Sequence, residues 1–195
     1  MNGALAALDL IIESEHGPDS SAYLVTSSRR VAEEAIAALP GYWQQIGEKR
    51  ADFSQRVLCG DHGRVILAKD FATAIEFVNA YAPEHLEVMA HEPMDVMMKI
   101  RNAGEILLGE HSPIVLGNFV LGPNAVLPTN GAAKTAGPLS VFDYMKRMSI
   151  AYVTSRGYQE LAPKAKRFAE YEGFPGHALA VSDIRQTLLK GGRDE

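Results

Sequence analysis

Four short apolar runs, at 21–26, 64–68, 85–89 and 105–108, recur along the chain with stretches of helical periodicity between them. Each run reads as a buried strand, and strands separated by helices of about 10 to 15 residues predict a parallel, Rossmann-like α/β sheet with helices on both faces. In such sheets ligands collect at the carboxyl ends of the strands.

The punctuation between the runs is clear. Residues 4–13 have helical composition, and Ser14-Glu15-His16-Gly17-Pro18-Asp19 is a turn signal. Ser27 and Ser28 cap a helix that carries Val31, Ala35, Ile36 and Leu39 on one stripe and is expected to stop at Pro40. A second helix is expected to hold Trp43, Ile46, Phe53 and Val57 and to end near Gly60 or Gly63. Asp70 caps a helix through Ala72, Ile75 and Val78, Pro83 breaks it, and Pro93 opens another. From 109 to 138 the pattern becomes a long loop rich in Gly, Pro, Asn and Ser, whose apolar content points to function rather than disorder. Beyond it come a short helical stretch at 142–147, a β-prone run at 150–154, a helix at 158–171, a turn at 173–177, a last helix at 178–189 and a charged tail, 191–195, expected to be mobile. The organisation expected is an α/β domain over 1–154 and a helical extension over 155–195. That extension is too small to bury a core alone, so it must dock on this domain or on another subunit.

An apolar content of 47% is that of a globular protein. No apolar run approaches the ~20 residues of a membrane span, and the first ten residues lack the basic start and apolar core of a signal peptide, so a cytoplasmic protein is expected. A net charge of -5 leaves no basic stripe for nucleic acid or an anionic membrane. The single cysteine, Cys59, permits no internal disulfide and reads as a small half-buried side chain. Neither G-x-G-x-x-G nor a Walker sequence occurs, so this chain shows no dinucleotide or triphosphate cradle of its own.

Titratable residues gather at two points. In Tyr81-Ala82-Pro83-Glu84-His85-Leu86 a carboxylate and an imidazole follow a helix-stopping proline on a short, stiff segment at a strand entrance. Such a pair suits proton transfer, histidine titrating near neutrality and the carboxylate orienting it or activating water. A solvated loop is the alternative, and the triplet alone does not choose. Glu13 and His16, three apart at a helix end, can reach one ion, or can be a solvated acid beside a histidine on the helix dipole.

Several segments taken together resemble, in order and spacing, the C-terminal half of the histidinol dehydrogenase family: Ser14 to Asp19, Tyr81 to Leu86, Gly122-Pro123-Asn124-Ala125-Val126-Leu127-Pro128-Thr129, Leu139 to Arg147 and Tyr171-Glu172-Gly173-Phe174-Pro175-Gly176-His177. The resemblance implies a zinc-dependent, NAD-linked dehydrogenase that oxidises L-histidinol through an aldehyde to L-histidine in histidine biosynthesis. His85 would match the family's general base and Glu84 its water-activating carboxylate. The zinc ligands would fall on Glu13, His16, Asn118 and His177. Substrate contacts would fall on Glu13, His16, Glu84, His85, Asn118, Glu172 and His177, with Ala125 standing where the family commonly has histidine. Glu13 stands for a family glutamine and Asn118 for an aspartate, so a carboxylate has moved from one ligand to another and the formal charge of the set is unchanged. The family forms an intertwined homodimer whose C-terminal segment completes the partner's site. Its members are longer, the remaining half holding most NAD contacts, so no cofactor-binding residue is assigned here and a separate chain carrying that half is an expected partner. Two other readings follow from the departures: a related NAD-dependent dehydrogenase of another small polar alcohol, and a non-catalytic metal-binding or subunit module.

Overall fold

The structure is a computed structural model that describes residues 1–191; of the tail 191–195, Gly191 closes a helix and the rest lies outside the described residues. Two compact units divide the chain, Met1–Met145 and Lys146–Glu195.

The first unit opens with α1 (Gly3–Ser14), capped by the Asn2 side chain on the Ala4 amide. Strand β1 (Ala22–Thr26) runs parallel to β2 (Gly63–Leu67), with α2 (Arg29–Trp43) and α3 (Glu48–Cys59) in the crossover between them. Ala6, Ala7, Leu10 and Ile11 of α1 pack against Leu24, Val31, Ala35, Leu39 and Val57 to form the core of the unit. Each buried Leu, Ile or Val side chain of this core contributes roughly 1.5–3 kcal/mol, and each alanine less. Polar groups inside this packing are paired: Ser54 Oγ lies 2.7 Å from Ser14 Oγ and accepts from Trp43 Nε1 at 2.8 Å.

Those bonds explain a departure from expectation. Helix α2 does not stop at Pro40 but continues to Trp43, although an interior proline removes a helix hydrogen bond and costs about 3 kcal/mol. Tyr42 OH donating to Ala4 O at 3.1 Å and Trp43 donating to Ser54 hold the turn beyond the proline in place. Trp43 therefore belongs to α2, Ile46 lies between the helices, and α3 starts after Gly47, whose φ of 79° suits glycine. Cys59, at the end of α3, is exposed rather than half-buried.

Helix α4 (Phe71–Tyr81) starts on Asp70, whose carboxylate accepts from the Thr73 amide at 2.8 Å, and ends on Ala82. Pro83 does keep Ala82 out of right-handed helix, yet Ala82 takes the left-handed region (φ 57°) rather than an extended one and is 1% exposed. Strand β3 (His85–Val88) and β4 (Glu105–Leu108) form a second parallel pair, with α5 (Pro93–Met97) between them. The fold class is the expected parallel α/β arrangement, but the four strands make two pairs, β1-β2 and β3-β4, instead of one continuous ladder.

The long loop is less irregular than its composition suggests. It contains α6 (Ile114–Phe119) and two single turns of 3₁₀ helix, Ala132–Lys134 and Val141–Tyr144.

In the second unit residues 150–154 form no strand. They are exposed and lack a pairing neighbour, and β-propensity without a partner does not make a strand. Helix α7 (Ser155–Tyr171) is capped by Thr154 and runs through Pro163. The expected turn and last helix become α8 (Pro175–Ala180) and α9 (Asp183–Gly191). Leu161, Phe168, Phe174, Ile184 and Leu188 of this unit are exposed. No helix among the described residues is long and apolar enough to cross a membrane.

Candidate functional site

The β3-β4 register builds the centre of the site. Gly104 N donates to Pro83 O and Glu105 N to Glu84 O, so the ladder is already in step before either strand begins. A side chain at 104 would meet Glu84 O at 2.5 Å, which is why glycine stands there. This register sets His85 directly opposite Glu105, and in a parallel pair the two side chains share a face. His85 Nδ1 lies 3.0 Å from Glu105 Oε2, and both side chains are nearly buried, at 7% and 8% exposure. A carboxylate accepts, so Nδ1 is the donor and Nε2 is left as the basic nitrogen.

That nitrogen faces two more carboxylates, Glu84 Oε1 at 3.9 Å and Glu13 Oε1 at 4.0 Å. Burial, followed by the nearby Glu13 charge and against the pull of His85 and His16, holds the Glu84 carboxyl above its ordinary value. A carboxylate raised in this way is a better base toward neutral pH than a solvated one.

Glu13 and His16 close the arrangement from the C-terminal end of α1, with His16 Nδ1 3.4 Å from Glu13 Oε2. Glu13 Oε1 is buried and has no hydrogen-bond partner. Asn118, half-buried in α6, and Ala125 line the same cavity as Glu13, His16, Glu84 and His85. Gly117 lets α6 come this close, since a side chain there would meet Glu105 Oε2 at 2.8 Å. Glu172 and His177 belong to the second unit, where both are exposed and His177 packs its ring 5.1 Å from that of Phe174.

Zinc fits the donor chemistry of the first unit in part. A buried carboxylate oxygen without a partner, an adjacent imidazole and an amide side chain face one cavity. Among the described residues no three His, Cys, Asp or Glu side chains stand together as a metal cluster.

Three residues escaped the reading of the sequence. Glu105 looked like the polar first residue of a strand, and only the pairing register shows that it faces His85. Asp9 and Glu87 sit inside apolar segments and point into the cavity, where burial pushes Asp9 up to about 6, and burial together with Asp9 pushes Glu87 up to about 8. An acid inside an apolar run was the available signal in both cases.

The sequence profile of the histidinol dehydrogenase family matches residues 1–185. A histidinol dehydrogenase homolog of Colwellia psychrerythraea is 57% identical over 189 residues, which are 97% of this chain and 42% of that protein. The histidinol dehydrogenase of a Synechocystis strain is 44% identical, again across 95% of this chain and 42% of the relative. Among solved structures, histidinol dehydrogenase from Elizabethkingia anophelis superposes with a TM-score of 0.88 at 30% identity, over 97% of this chain and 42% of that one. The chain thus spans about two fifths of the length of the relatives it matches. With the profile covering nearly all of it and the same fold in a solved member, the chain belongs to the histidinol dehydrogenase family.

Proposed function

We propose that this chain carries the proton-handling and metal-binding part of an NAD-linked oxidation of L-histidinol to L-histidine by way of the aldehyde. The observation that supports this reading is the line of groups through His85: Glu105 on Nδ1, then Nε2 turned toward Glu84 and Glu13 at the cavity wall.

In this reading His85 Nε2 takes the proton of the substrate hydroxyl as the alcohol is oxidised. Glu105 holds the ring in the tautomer that can accept it and offsets the charge that results. The second oxidation needs a hydrated aldehyde, and Glu84, with its raised carboxyl, takes a proton from the attacking water. Glu13, His16 and Asn118 would hold zinc, which when bound polarises a hydroxyl or carbonyl oxygen. His177 is the proposed further ligand and Glu172 a proposed substrate contact, both supplied by the C-terminal unit of the partner in a homodimer. The dinucleotide is assigned to the part of the family chain that this sequence does not span, present either in one longer polypeptide or in a separate one.

Ala125 favours a second reading, oxidation of another small polar alcohol, because the pocket wall there is a methyl group. A non-catalytic metal-binding or subunit module, also expected from the sequence alone, has less support, because such a role gives no reason for a buried Glu105–His85 pair.

The test is an NADH assay on this chain joined to the remaining part of the Colwellia relative. His85→Ala is expected to slow NADH formation by about 10²- to 10⁴-fold. Glu84→Gln is expected to leave the first NADH and impair the second, so that aldehyde accumulates. Activity unchanged in His85→Ala overturns the reading, and good activity on another alcohol with none on histidinol supports the second reading.

A further inference from the structure

Helix α3 bonds at two levels to the end of α1, the turn that carries Glu13 and leads into His16. The inner level is the contact of Ser14 Oγ with Ser54 Oγ at 2.7 Å, between two fully buried residues. The outer level is Arg50, one turn before Ser54 on α3. Its Nη1 donates to Glu15 O at 2.8 Å and to His16 O at 3.4 Å. The same guanidinium lies 5.9 Å from the centre of the half-buried Phe53 ring, which steadies an otherwise exposed side chain.

Arg50 answers a local need of α1. The last carbonyls of a helix lack intrahelical partners and attract a cation, yet α1 has no basic residue in its own last turn. His16 needs a hold as well. Its side chain is 60% exposed, so little packing fixes the ring, and the 3.4 Å contact of Nδ1 with Glu13 Oε2 is a long one. The rotamer open to such a ring follows from its backbone. That backbone is fixed on one side by His16 N donating to Glu13 O at 3.3 Å and on the other by Arg50 on the carbonyls of Glu15 and His16.

We infer that Arg50 is a positioning residue of the site: from α3 it holds the Glu15–His16 backbone in the conformation that turns the His16 imidazole toward Glu13 and the cavity. The purpose of this hold rests on the proposed role of Glu13 and His16 as metal ligands, whereas the hold itself rests on the hydrogen bonds.

The test uses the full chain with Arg50→Met, which keeps the stem and removes the donors. Arg50 is exposed and the buried Ser14–Ser54 contact stays in place, so the variant keeps its fold. Three-bond couplings of the His16 side chain, measured without metal, are expected to show one χ1 rotamer in the native chain and averaging in Arg50→Met. Arg50→Lys, which keeps a donor there, is expected to restore the single rotamer. Arg56→Met, which removes another exposed cation of α3, one paired with Asp52 at 2.9 Å, is expected to change nothing. In competition with a chromophoric chelator, zinc affinity is expected to fall about 10- to 100-fold in Arg50→Met, the usual cost of losing a group that orients a ligand. Removal of a nearby positive charge would by itself raise that affinity, so the sign separates positioning from electrostatics. In a His16→Ala background the same change is expected to leave zinc affinity where it is. An unchanged His16 rotamer in Arg50→Met overturns the inference, as does an equal change in Arg56→Met. So does, in a chain that binds zinc, an unchanged affinity in Arg50→Met or a loss that persists without His16. A native chain that takes up no zinc overturns the metal-binding reading instead, while the His16 couplings still decide the role of Arg50.

Discussion

Glu105 determines which nitrogen of His85 is left free to face the cavity. With its carboxylate accepting from Nδ1 at 3.0 Å, the basic lone pair sits on Nε2, on the side of Glu84 and Glu13. Glu105→Ala should therefore populate both neutral imidazole tautomers of His85 in nitrogen-15 spectra, whereas the native chain is expected to favour the Nδ1–H form. In the joined protein it should lower activity by about 10- to 100-fold, the usual cost of removing a group that orients a functional histidine. A single unchanged tautomer in the variant would remove Glu105 from this role. The two ends of the dyad were unequally legible in the sequence. His85 follows a proline and a glutamate, so its chemistry could be read locally. Glu105 meets it only through a pairing twenty residues away, which residue type and spacing do not carry.

At the scale of elements, the site depends on how α4 is tied to the start of β4. Buried Asn79, near the end of α4, accepts from the Arg101 amide at 2.6 Å and the Asn102 amide at 3.3 Å, and donates to Lys99 O at 3.0 Å. This clamp fixes the segment entering β4 and so the register that puts Glu105 opposite His85. Asn79→Ala should cost about 1–3 kcal/mol in urea unfolding, because the part-buried amides of Arg101 and Asn102 lose the acceptor that the buried Asn79 side chain provides. Exposed Glu76→Ala on the same helix should stay within about 0.5 kcal/mol. Equal effects of the two would mean that the clamp holds nothing. Strands and caps of this unit were legible because apolar runs, Asp70 and Pro83 act locally. The passage of α2 through Pro40 was not, since Tyr42 and Trp43 secure it by bonds to α1 and α3. Helix α6 was hidden for a related reason. Its six residues include Gly117, a poor helix former whose place is explained by the carboxylate of Glu105 against it.

At the scale of the whole molecule, the first unit brings Glu13, His16, Glu84, His85 and Asn118 to one cavity, and the second carries Glu172 and His177. The spacing of short apolar runs predicted the strands, but their grouping into two pairs depends on which edges find neighbours, a property of three-dimensional packing. In the proposed reading acid–base chemistry belongs to this chain and dinucleotide binding to the part of the family chain it does not span. The direct measurement is NADH formation by the isolated 195-residue chain, supplied with histidinol, NAD and zinc. None above the uncatalysed rate is expected, with activity appearing when the remaining part of a relative is joined to it. Sustained NADH production by the isolated chain would contradict that reading.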